Sequence, residues 1–262
     1  MKTTGHEDHS TTMKTTKRPP VWIISLERAA HRRETVAASF ASHGLEFEFI
    51  RAVDGSALTP EQRSLYSHWR ALFEMGRGLG RGMFGASLSH LSVYERMVAE
   101  QVPVAAVFED DVEPTEGLVS VLDSVGDLPD DWQVVTLHSL FPSSGPEPTE
   151  HPPIDGQYRV CTYRRVPFGT QGYLINLRGA RRALEVAYPV GFPPDELLFR
   201  SHPAGLRVYG IEPSVLVHRD TESEIHSQPM GVVPERTLRR PIELAVVLAG
   251  KVRHRIRRRL AR

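Results

Sequence analysis

The feature of this sequence that most constrains its fold is an apolar run ending in three consecutive carboxylates. Val104–Phe108 reads VAAVF, and Glu109, Asp110 and Asp111 follow it directly. A short, continuous apolar run of this kind is typical of a strand that is buried on both faces of a sheet. Because open α/β sheets bind their ligands at the carboxyl ends of their strands, the run predicts a ligand site built around the acidic triplet.

Two interpretations of the acidic triplet are open. Adjacent carboxylates repel one another, and a divalent cation would relieve that repulsion. Mg²⁺ and Mn²⁺ prefer such hard oxygen ligands, and a bound metal can stabilise the charge of a departing nucleoside diphosphate. Alternatively, the triplet is a solvated turn in which Asp111 or Glu113 caps the next element. The triplet alone does not decide between a metal site and a turn.

The pattern around the triplet predicts an α/β fold. The apolar run Val21–Leu26, a helical stretch at Ala29–His43 and the alternating segment Glu46–Arg51 form a βαβ unit. Two further helices are expected at Gly85–Glu100 and Arg178–Val186. Further strands are expected at Val134–Leu137, Tyr173–Ile175, Val208–Ile211 and Val215–Val217.

Three segments between these elements carry turn or loop signals. Thr59–Gln62 has the pattern of a capping box with proline at the first helical position. Residues 142–157 are rich in proline and predict a surface loop or lid. A cluster of glycines predicts a mobile loop, since glycine is unfavourable inside helices and strands: Gly76, Gly78, Gly80 and Gly82.

The two ends of the chain differ in composition from its middle. Residues 1–19 are almost without apolar side chains and predict a disordered leader, whereas residues 20–235 are expected to form the catalytic domain. Residues 236–262 predict a basic amphipathic helix, with seven Lys and Arg between residues 251 and 262. Its apolar side chains recur every four residues: Leu244, Leu248, Val252, Ile256 and Leu260. Such a helix suits an anionic membrane surface, with RNA binding or a solvated end as alternatives.

Charge and cysteine content bear on partners and compartment. The chain has 32 basic and 32 acidic residues, so the part outside the basic tail is acidic, which is not typical of a nucleic-acid-binding protein. The single Cys161 cannot form an intramolecular disulfide and fits a reducing compartment. We see no secretory signal and no apolar run of the ~20 residues that a spanning helix needs. We therefore expect a cytoplasmic protein, peripheral on the inner face of the membrane, that binds no nucleic acid.

Several short segments, which follow one another along roughly residues 21 to 227, form a series of recognisable motifs. They are Ile23–Arg28 with His31–Arg33, Ala52–Gly55, Gly85–His90, Val107–Asp111, Gly172–Ile175 with Gly179–Ala180, and Pro194–Leu198. Together they resemble glycosyltransferase family 25, the lipopolysaccharide-core and collagen hydroxylysine galactosyltransferases. Ala86 departs from the pattern, since cysteine is usual there, and so does Gln171-Gly172, where Gly-Ala usually precedes the tyrosine.

The resemblance implies both a fold and a reaction. It implies a single GT-A-like nucleotide-sugar-binding domain with a mixed central sheet flanked by helices. It also implies a UDP-sugar donor, a divalent metal (Mn²⁺ or Mg²⁺) and an inverting transfer. Composition and spacing alone predict only an α/β fold with an acidic metal site.

The residues expected to bind the donor lie in these segments: Ser25, Leu26, Arg28, Arg32, Asp54, Ser89, Glu109 and Asp110. Arginines at a strand–helix junction can meet a diphosphate, although a solvated helix face is the alternative for them. For Asp54 the alternative is a turn before Gly55, and for Ser89 and His90 it is packing or capping in a helix.

Metal and catalytic roles are expected at a further set of residues. Asp110, Asp111 and His218 are the candidate metal ligands, although most single histidines bind no metal. An inverting transfer needs a base for the proton of the attacking hydroxyl, and Asp195 or Glu196 can supply it. The alternative role for this pair is to cap the helix that follows Pro193 and Pro194.

The sequence thus predicts an enzyme that transfers a hexose, galactose or glucose, from a UDP-sugar to a hydroxyl of a glycan, lipid-linked or peptide acceptor. Two alternatives use the same residues. A metal-dependent nucleotide-sugar hydrolase would consume the donor without an acceptor. A non-catalytic sugar-nucleotide-binding module would bind the donor and leave it intact.

Overall fold

The structure is a computed structural model that describes residues 18–138, 145–163, 169–199 and 204–219, together with residue 249. Of the predicted leader only residues 18 and 19 are described. The predicted tail, residues 236–262, lies outside the described residues except for residue 249. The division of the chain into leader, catalytic domain and basic helix therefore stays a prediction.

The described strands form one large mixed sheet and one small sheet. In chain order they are β1 (Val21–Ser25), β2 (Glu48–Arg51), β3 (Val104–Glu109), β4 (Val112–Pro114), β5 (Val134–Thr136), β6 (Pro146–Pro148), β7 (Arg159–Tyr163), β8 (Gly172–Asn176), β9 (Val208–Glu212) and β10 (Leu216–His218). The large sheet has the order β2-β1-β3-β8-β5-β9-β7-β6, and β4 pairs with β10. Strand β1 is parallel to β2 and β3, whereas β8 is antiparallel to β3 and β5. The expected mixed central sheet is confirmed.

Helices cover both faces of this sheet. Those of the described residues are α1 (Ala30–Ser42), α2 (Pro60–Ser64), α3 (His68–Met75), α4 (Arg81–Ala99), α5 (Gly117–Asp123), α6 (Leu177–Ala187) and α7 (Pro194–Leu198), with a 3₁₀ turn at Val125–Asp127. Val21 and Ile23 of β1 belong to a core that includes α1 and α5, whereas Trp22 and Ile24 belong to a core that includes α4 and α6. Successive side chains of a strand point to opposite faces, so a strand covered on both sides is apolar throughout.

The glycine-rich segment forms a shorter connection than expected. Gly76 ends α3 with φ 68°, a left-handed conformation that glycine adopts at little cost. Gly80 is the N-cap of α4, and Gly82 lies in the first turn of that helix. The predicted helix Gly85–Glu100 therefore begins earlier, at Arg81, because the first turn of α4 tolerates glycine. The capping box at Thr59 is confirmed.

Two other expectations are corrected by the strand pairing. The proline-rich segment 142–157 is not entirely a loop, since Pro146–Pro148 pairs with β7 as an exposed edge strand. The strand expected at Val215–Val217 is shifted by one residue and pairs with β4, outside the central sheet. Among the described helices, none is long and apolar enough to cross a membrane.

Candidate active site

The carboxyl ends of three parallel strands open into a cleft of about 360 Å³. The order β2-β1-β3 places Ile24 opposite Ile50 on one side and opposite Glu109 on the other. The segments that leave these strands, around residues 25–28, 52–56 and 109–111, therefore meet at one edge of the sheet. Residues at the start of α4, including Arg81 and Ala86, form the opposite wall.

Asp110 ties two strand ends to α1. Its carboxylate is buried, and Ser25 Oγ donates to Oδ2 at 2.5 Å while Arg32 Nη2 donates to Oδ1. Arg32 lies in the first turn of α1, so one carboxylate holds β1, β3 and α1 together. Because both oxygens of Asp110 are engaged, this arrangement disfavours the expected metal-ligand role for it. Arg32 Nε is buried without a hydrogen-bond partner among the described residues.

Asp54 shapes the loop that follows β2. Its Oδ1 accepts hydrogen bonds from the backbone N and the Oγ of Ser56, at 2.8 and 2.6 Å. Arg28 Nε donates to Oδ2 at 2.8 Å. The Arg28 and Ser56 hydrogen bonds lower the pKa of Asp54 to about 2. The turn-forming alternative for Asp54 therefore describes its contacts, although both Asp54 and Arg28 also line the cleft.

Ser89 fastens the same loop to α4. Its Oγ accepts from the backbone N of Val53 at 2.8 Å and donates to the carbonyl of Gly85 at 2.8 Å. A Cβ at Gly85 would lie only 2.6 Å from the carbonyl oxygen of Val53, so the helix and loop touch backbone to backbone. Ser89 is buried, and its hydrogen bonds fix the loop that forms part of the wall of the cleft.

Glu109 is held at one oxygen. Thr170 Oγ1 donates to Oε1 at 2.5 Å, and His90 Nε2 lies 3.4 Å from the same oxygen. Burial alone would raise the pKa of Glu109, but His90, Thr170 and the charge of Arg32 outweigh it and the pKa is lowered. Glu109 is therefore an ionised carboxylate in the floor of the cleft.

Asp111 differs from its two neighbours because it lacks such partners. Burial and the negative charges of Glu109 and Asp110 raise the pKa of Asp111 to about 7. Its Oδ1 is buried without a hydrogen-bond partner among the described residues, and the Nδ1 of His218 is in the same condition. His218 Nδ1 lies 4.0 Å from Asp111 Oδ2, because β10 pairs with β4 directly after the triplet.

A second histidine lies beside His218 and was not predicted. His138 follows β5, its ring centroid is 6.2 Å from that of His218, and its Nε2 is buried without a partner among the described residues. The rule that singled out the acidic triplet, polar residues directly after a buried strand, also applies to His138.

These orphaned atoms fit a divalent cation that is completed by its substrate. In the described part of the chain, no three His, Cys, Asp or Glu side chains are grouped closely enough to hold a metal alone. Mg²⁺ and similar ions often bind through one or two protein ligands plus substrate phosphates. A buried carboxylate oxygen and a buried imidazole nitrogen, both unpartnered, supply that minimal set at Asp111 and His218.

Most of the predicted site residues meet in the cleft. All eight expected donor-binding residues and Asp111 line it, and His218 lies next to Asp111. Asp195 and Glu196 do not line the cleft. They lie half-buried in the first turn of α7. The roles assigned to these residues stay predictions.

The comparison with protein families decides the class. A model described as "Glycosyltransferase family 25 (LPS biosynthesis protein)" matches residues 18–198, more than half of the chain. The chain belongs to glycosyltransferase family 25. The protein is therefore a glycosyltransferase, as its sequence motifs predicted.

Curated relatives include bacterial and animal enzymes. The lacto-N-neotetraose biosynthesis glycosyltransferase LgtB of Neisseria gonorrhoeae is 28% identical over 261 residues, covering 92% of this chain and 90% of the relative. Procollagen galactosyltransferase 2 of Homo sapiens is 27% identical over 197 residues, covering 70% of this chain. This chain spans only 30% of that human protein.

Among solved structures, a mutant of Drosophila β1,4-galactosyltransferase 7 in complex with manganese, UDP-Gal and xylobiose is similar to this chain. The TM-score is 0.42 at 11% sequence identity, over 87% of this chain and 79% of that one.

Proposed function

We propose that this enzyme transfers a hexose, galactose or glucose, from a UDP-sugar to a hydroxyl of a glycan or lipid-linked acceptor, with inversion and with a divalent metal. LgtB, whose length this chain nearly spans, is named for lacto-N-neotetraose biosynthesis, and the animal relatives are named procollagen galactosyltransferases. These names support a galactosyl donor and leave a peptide hydroxyl as a second kind of acceptor.

The observation that carries the proposal is the pair of unpartnered ligands beside a cleft. Asp111 Oδ1 and His218 Nδ1 are buried and unsatisfied among the described residues, at the edge where β1, β2 and β3 end. Buried polar atoms without partners are costly unless a ligand satisfies them. Mn²⁺ or Mg²⁺, when bound there with the donor diphosphate, would supply positive charge for the departing UDP.

The protein groups around the cleft would position the donor. The loop at residues 53–56 and the arginines Arg28 and Arg32 line the cleft at the carboxyl edge of the sheet, the edge at which open α/β folds bind their ligands. Glu109 offers an ionised acceptor for a donor hydroxyl. Asp195 or Glu196 would take the proton of the attacking acceptor hydroxyl once the acceptor is bound.

Transfer by Asp111→Asn and by the unaltered enzyme tests the proposal. With UDP-galactose or UDP-glucose, Mn²⁺ and a panel of soluble glycan acceptors, the unaltered enzyme should form a glycosidic linkage with inverted configuration. Asp111→Asn should lose transfer by at least ~10²-fold, since it removes the charged metal ligand, and chelation should have the same effect. The metal-free variant should melt at a higher temperature, because carboxylate repulsion is relieved.

The same assay separates the alternative functions. Rapid release of UDP without acceptor, unchanged when acceptor is added, would identify a nucleotide-sugar hydrolase. Binding of UDP-sugar without any turnover would identify a binding module. Near-normal transfer by Asp111→Asn in the presence of Mn²⁺ would show that Asp111 is not a metal ligand.

A further inference from the structure

Gln171 carries a buried amide oxygen for which the described part of the chain supplies no hydrogen-bond donor. The residue directly precedes β8 and directly follows Thr170, whose hydroxyl donates to Glu109 at 2.5 Å. Burying an amide carbonyl oxygen without a partner costs free energy, so such an atom in a native fold needs an explanation. A ligand hydroxyl that donates to this oxygen would satisfy it.

The strand pairing shows in which direction the Gln171 side chain leaves the sheet. Gly172 lies opposite Phe108 in the antiparallel β3–β8 pair, and the backbone N of Glu109 donates to the carbonyl of Gln171 at 2.9 Å. Gln171 is therefore opposite Glu109, and opposite residues of two paired strands point to the same face of the sheet. Because Glu109 lines the cleft, the Gln171 side chain starts beside the cleft, one strand further from β1.

This face of β8 is also the face on which α7 packs. Tyr173, two residues after Gln171, has its ring centroid 6.1 Å from that of Phe199, the C-cap of α7. Alternate residues of a strand point to the same face, so Gln171 and Tyr173 share it. Gln171 thus lies on the side of the cleft toward the helix that carries Asp195 and Glu196.

The backbone before Gln171 makes room for its amide. Gly169 has φ 86°, a left-handed conformation that glycine adopts at little cost. A Cβ at Gly169 would lie 2.2 Å from Oε1 and 2.5 Å from Nε2 of Gln171, so the amide lies directly against the glycine backbone. The contact places the amide before any ligand binds, and an acceptor that is already in place lowers the conformational cost of binding.

We propose that Gln171 is a specificity-determining residue whose amide oxygen accepts a hydrogen bond from one hydroxyl of the transferred hexose. The inference rests on the proposed function, since it needs a UDP-sugar donor. The residues proposed to hold the nucleoside diphosphate follow β2, β1 and β3, and β8 is the next strand in the sheet. A hexose that extends from the diphosphate toward β8 reaches Gln171, whereas the nucleotide does not.

Calorimetry in the presence of Mn²⁺ measures this contact by comparing UDP with UDP-galactose and UDP-glucose. Gln171→Met keeps the length of the side chain and removes its amide. The variant should bind UDP as the unaltered protein does. It should bind the preferred UDP-sugar roughly twofold to tenfold more weakly, as expected for the loss of one hydrogen bond.

Gln133→Met is the matched control, because it makes the same substitution at the far end of β8. The carbonyl of Gln133 accepts from the backbone N of Asn176, the last residue of β8, and its Oε1 accepts from the backbone N of Arg207 at 3.0 Å. Gln133→Met should leave the affinities for UDP and for the UDP-sugar unchanged.

Deoxygenated donors identify the hydroxyl that Gln171 contacts. The 2-, 3-, 4- and 6-deoxy forms of the preferred UDP-sugar each lack one hydroxyl of the hexose. The form without the contacted hydroxyl should bind the unaltered protein more weakly than its parent does. With Gln171→Met, this form and its parent should bind equally, because the interaction is already absent.

The melting temperature without ligand separates a binding role from a packing role. Gln171→Met removes an unsatisfied buried oxygen, so the variant should melt at the same temperature as the unaltered protein or higher. Gln133→Met removes an oxygen that has a partner, and it should therefore melt lower. A lower melting temperature of Gln171→Met, together with an equal loss of affinity for UDP and the UDP-sugar, would make Gln171 a packing residue and overturn the proposal.

The remaining outcomes also decide the proposal. Unchanged binding of the UDP-sugar by Gln171→Met overturns it. If all the deoxygenated donors bind the unaltered protein as tightly as their parent, the proposal fails even when no variant folds. If the unaltered protein binds no UDP-sugar, the proposed function and this contact fail together. Binding of UDP-sugars with an affinity that does not depend on the sugar overturns the Gln171 contact alone.

Discussion

Asp195 is the carboxylate that we expect to accept the proton of the attacking hydroxyl, and its replacement by Asn tests that role. Asn keeps the size of the side chain and removes its basicity. Asp195→Asn should therefore lower kcat by roughly 10²–10⁴-fold with little change in donor affinity. Glu196→Gln, on the next residue of α7, is the matched comparison. Loss of donor binding instead of kcat would make Asp195 a structural residue, with Glu196 the next candidate.

Asp54 should contribute stability that depends on pH. Its pKa is about 2 in the folded protein against 3.8 without partners, so the ionised form is favoured by folding. This stabilisation is present above pH ~4 and is lost as the pH falls toward 2. Asp54→Asn should therefore have a lower melting temperature than the unaltered protein at pH 6. The two melting temperatures should converge near pH 2.

The ion pair of Glu27 with Arg51 provides the control for this measurement. Its side chains are 72% and 81% exposed, and pairs of this kind contribute little stability. Glu27→Gln should leave the melting temperature nearly unchanged at both pH values. Equal behaviour of the two variants would contradict a special role for Asp54 in the loop.

For individual residues, the sequence predicted which of them come together in the cleft but not which side chains they contact. Glu109, Arg28 and Asp54 could be placed in one cleft because each lies just after a predicted strand. The pairing of Asp110 with Ser25 and Arg32 could not be foreseen, since it depends on the side-chain positions across β1, β3 and α1. Polar side chains compete for partners within a few ångströms, and sequence spacing does not resolve that competition.

The contact between α4 and the loop after β2 holds the wall of the cleft in place. Gly85 allows the helix to approach this loop, since an added Cβ would lie 2.6 Å from Val53 O and 2.9 Å from Gly55 N. Both contacts are with backbone atoms, so the helix or loop must shift to accept a methyl group. Gly85→Ala should destabilise the protein by about 1–3 kcal/mol and weaken UDP binding. Unfolding in denaturant and calorimetry with UDP measure the two effects.

A second variant tests whether the position of this loop, rather than a general loss of packing, affects UDP binding. Ser89→Ala removes the hydrogen bond to Val53 N without adding volume. It should weaken UDP binding in the same direction as Gly85→Ala, with a smaller loss of stability. Unaltered UDP binding in both variants would mean that the loop position does not matter for the donor.

Among the elements, those with strong apolar patterns were predicted and the short polar ones were not. Strands β1 and β3 are buried on both faces, so their continuous apolar runs locate them. Strand β6, by contrast, reads Pro-Glu-Pro, has three exposed residues and is defined by its pairing with β7. The antiparallel insertion of β8 between β3 and β5 is likewise a property of long-range pairing, which no local pattern encodes.

The whole site is assembled from segments that are far apart in the chain. The triplet at the end of β3 meets the loop after β2, the first turn of α1 and, through β4, the histidine of β10. The order of the motifs identified the family, because family membership constrains many positions at once. The donor sugar and the acceptor are chosen by individual contacts, and those follow from neither the motif order nor the fold.

The C-terminal segment, residues 236–262, gives the last prediction, which concerns where the enzyme works. Its sequence places seven basic residues between 251 and 262 beside the apolar positions of the predicted helix. Each Lys or Arg near an anionic surface contributes ~1 kcal/mol, and salt screens the attraction. We expect the enzyme to cosediment with vesicles that contain phosphatidylglycerol, and to be released as the salt concentration rises.

Two variants separate the charge of this segment from its apolar positions. Removing residues 241–262 should abolish cosedimentation and leave transfer to a soluble acceptor unchanged. Replacing Arg257, Arg258 and Arg259 by Gln keeps the apolar positions and removes three of the seven basic residues, so binding should weaken and become less dependent on salt. Equal binding of the full and the shortened chain would end the membrane hypothesis. A shortened protein that fails to fold would instead mean that Leu244, Leu248 and their apolar neighbours pack on the catalytic domain, because only then would their removal expose its core.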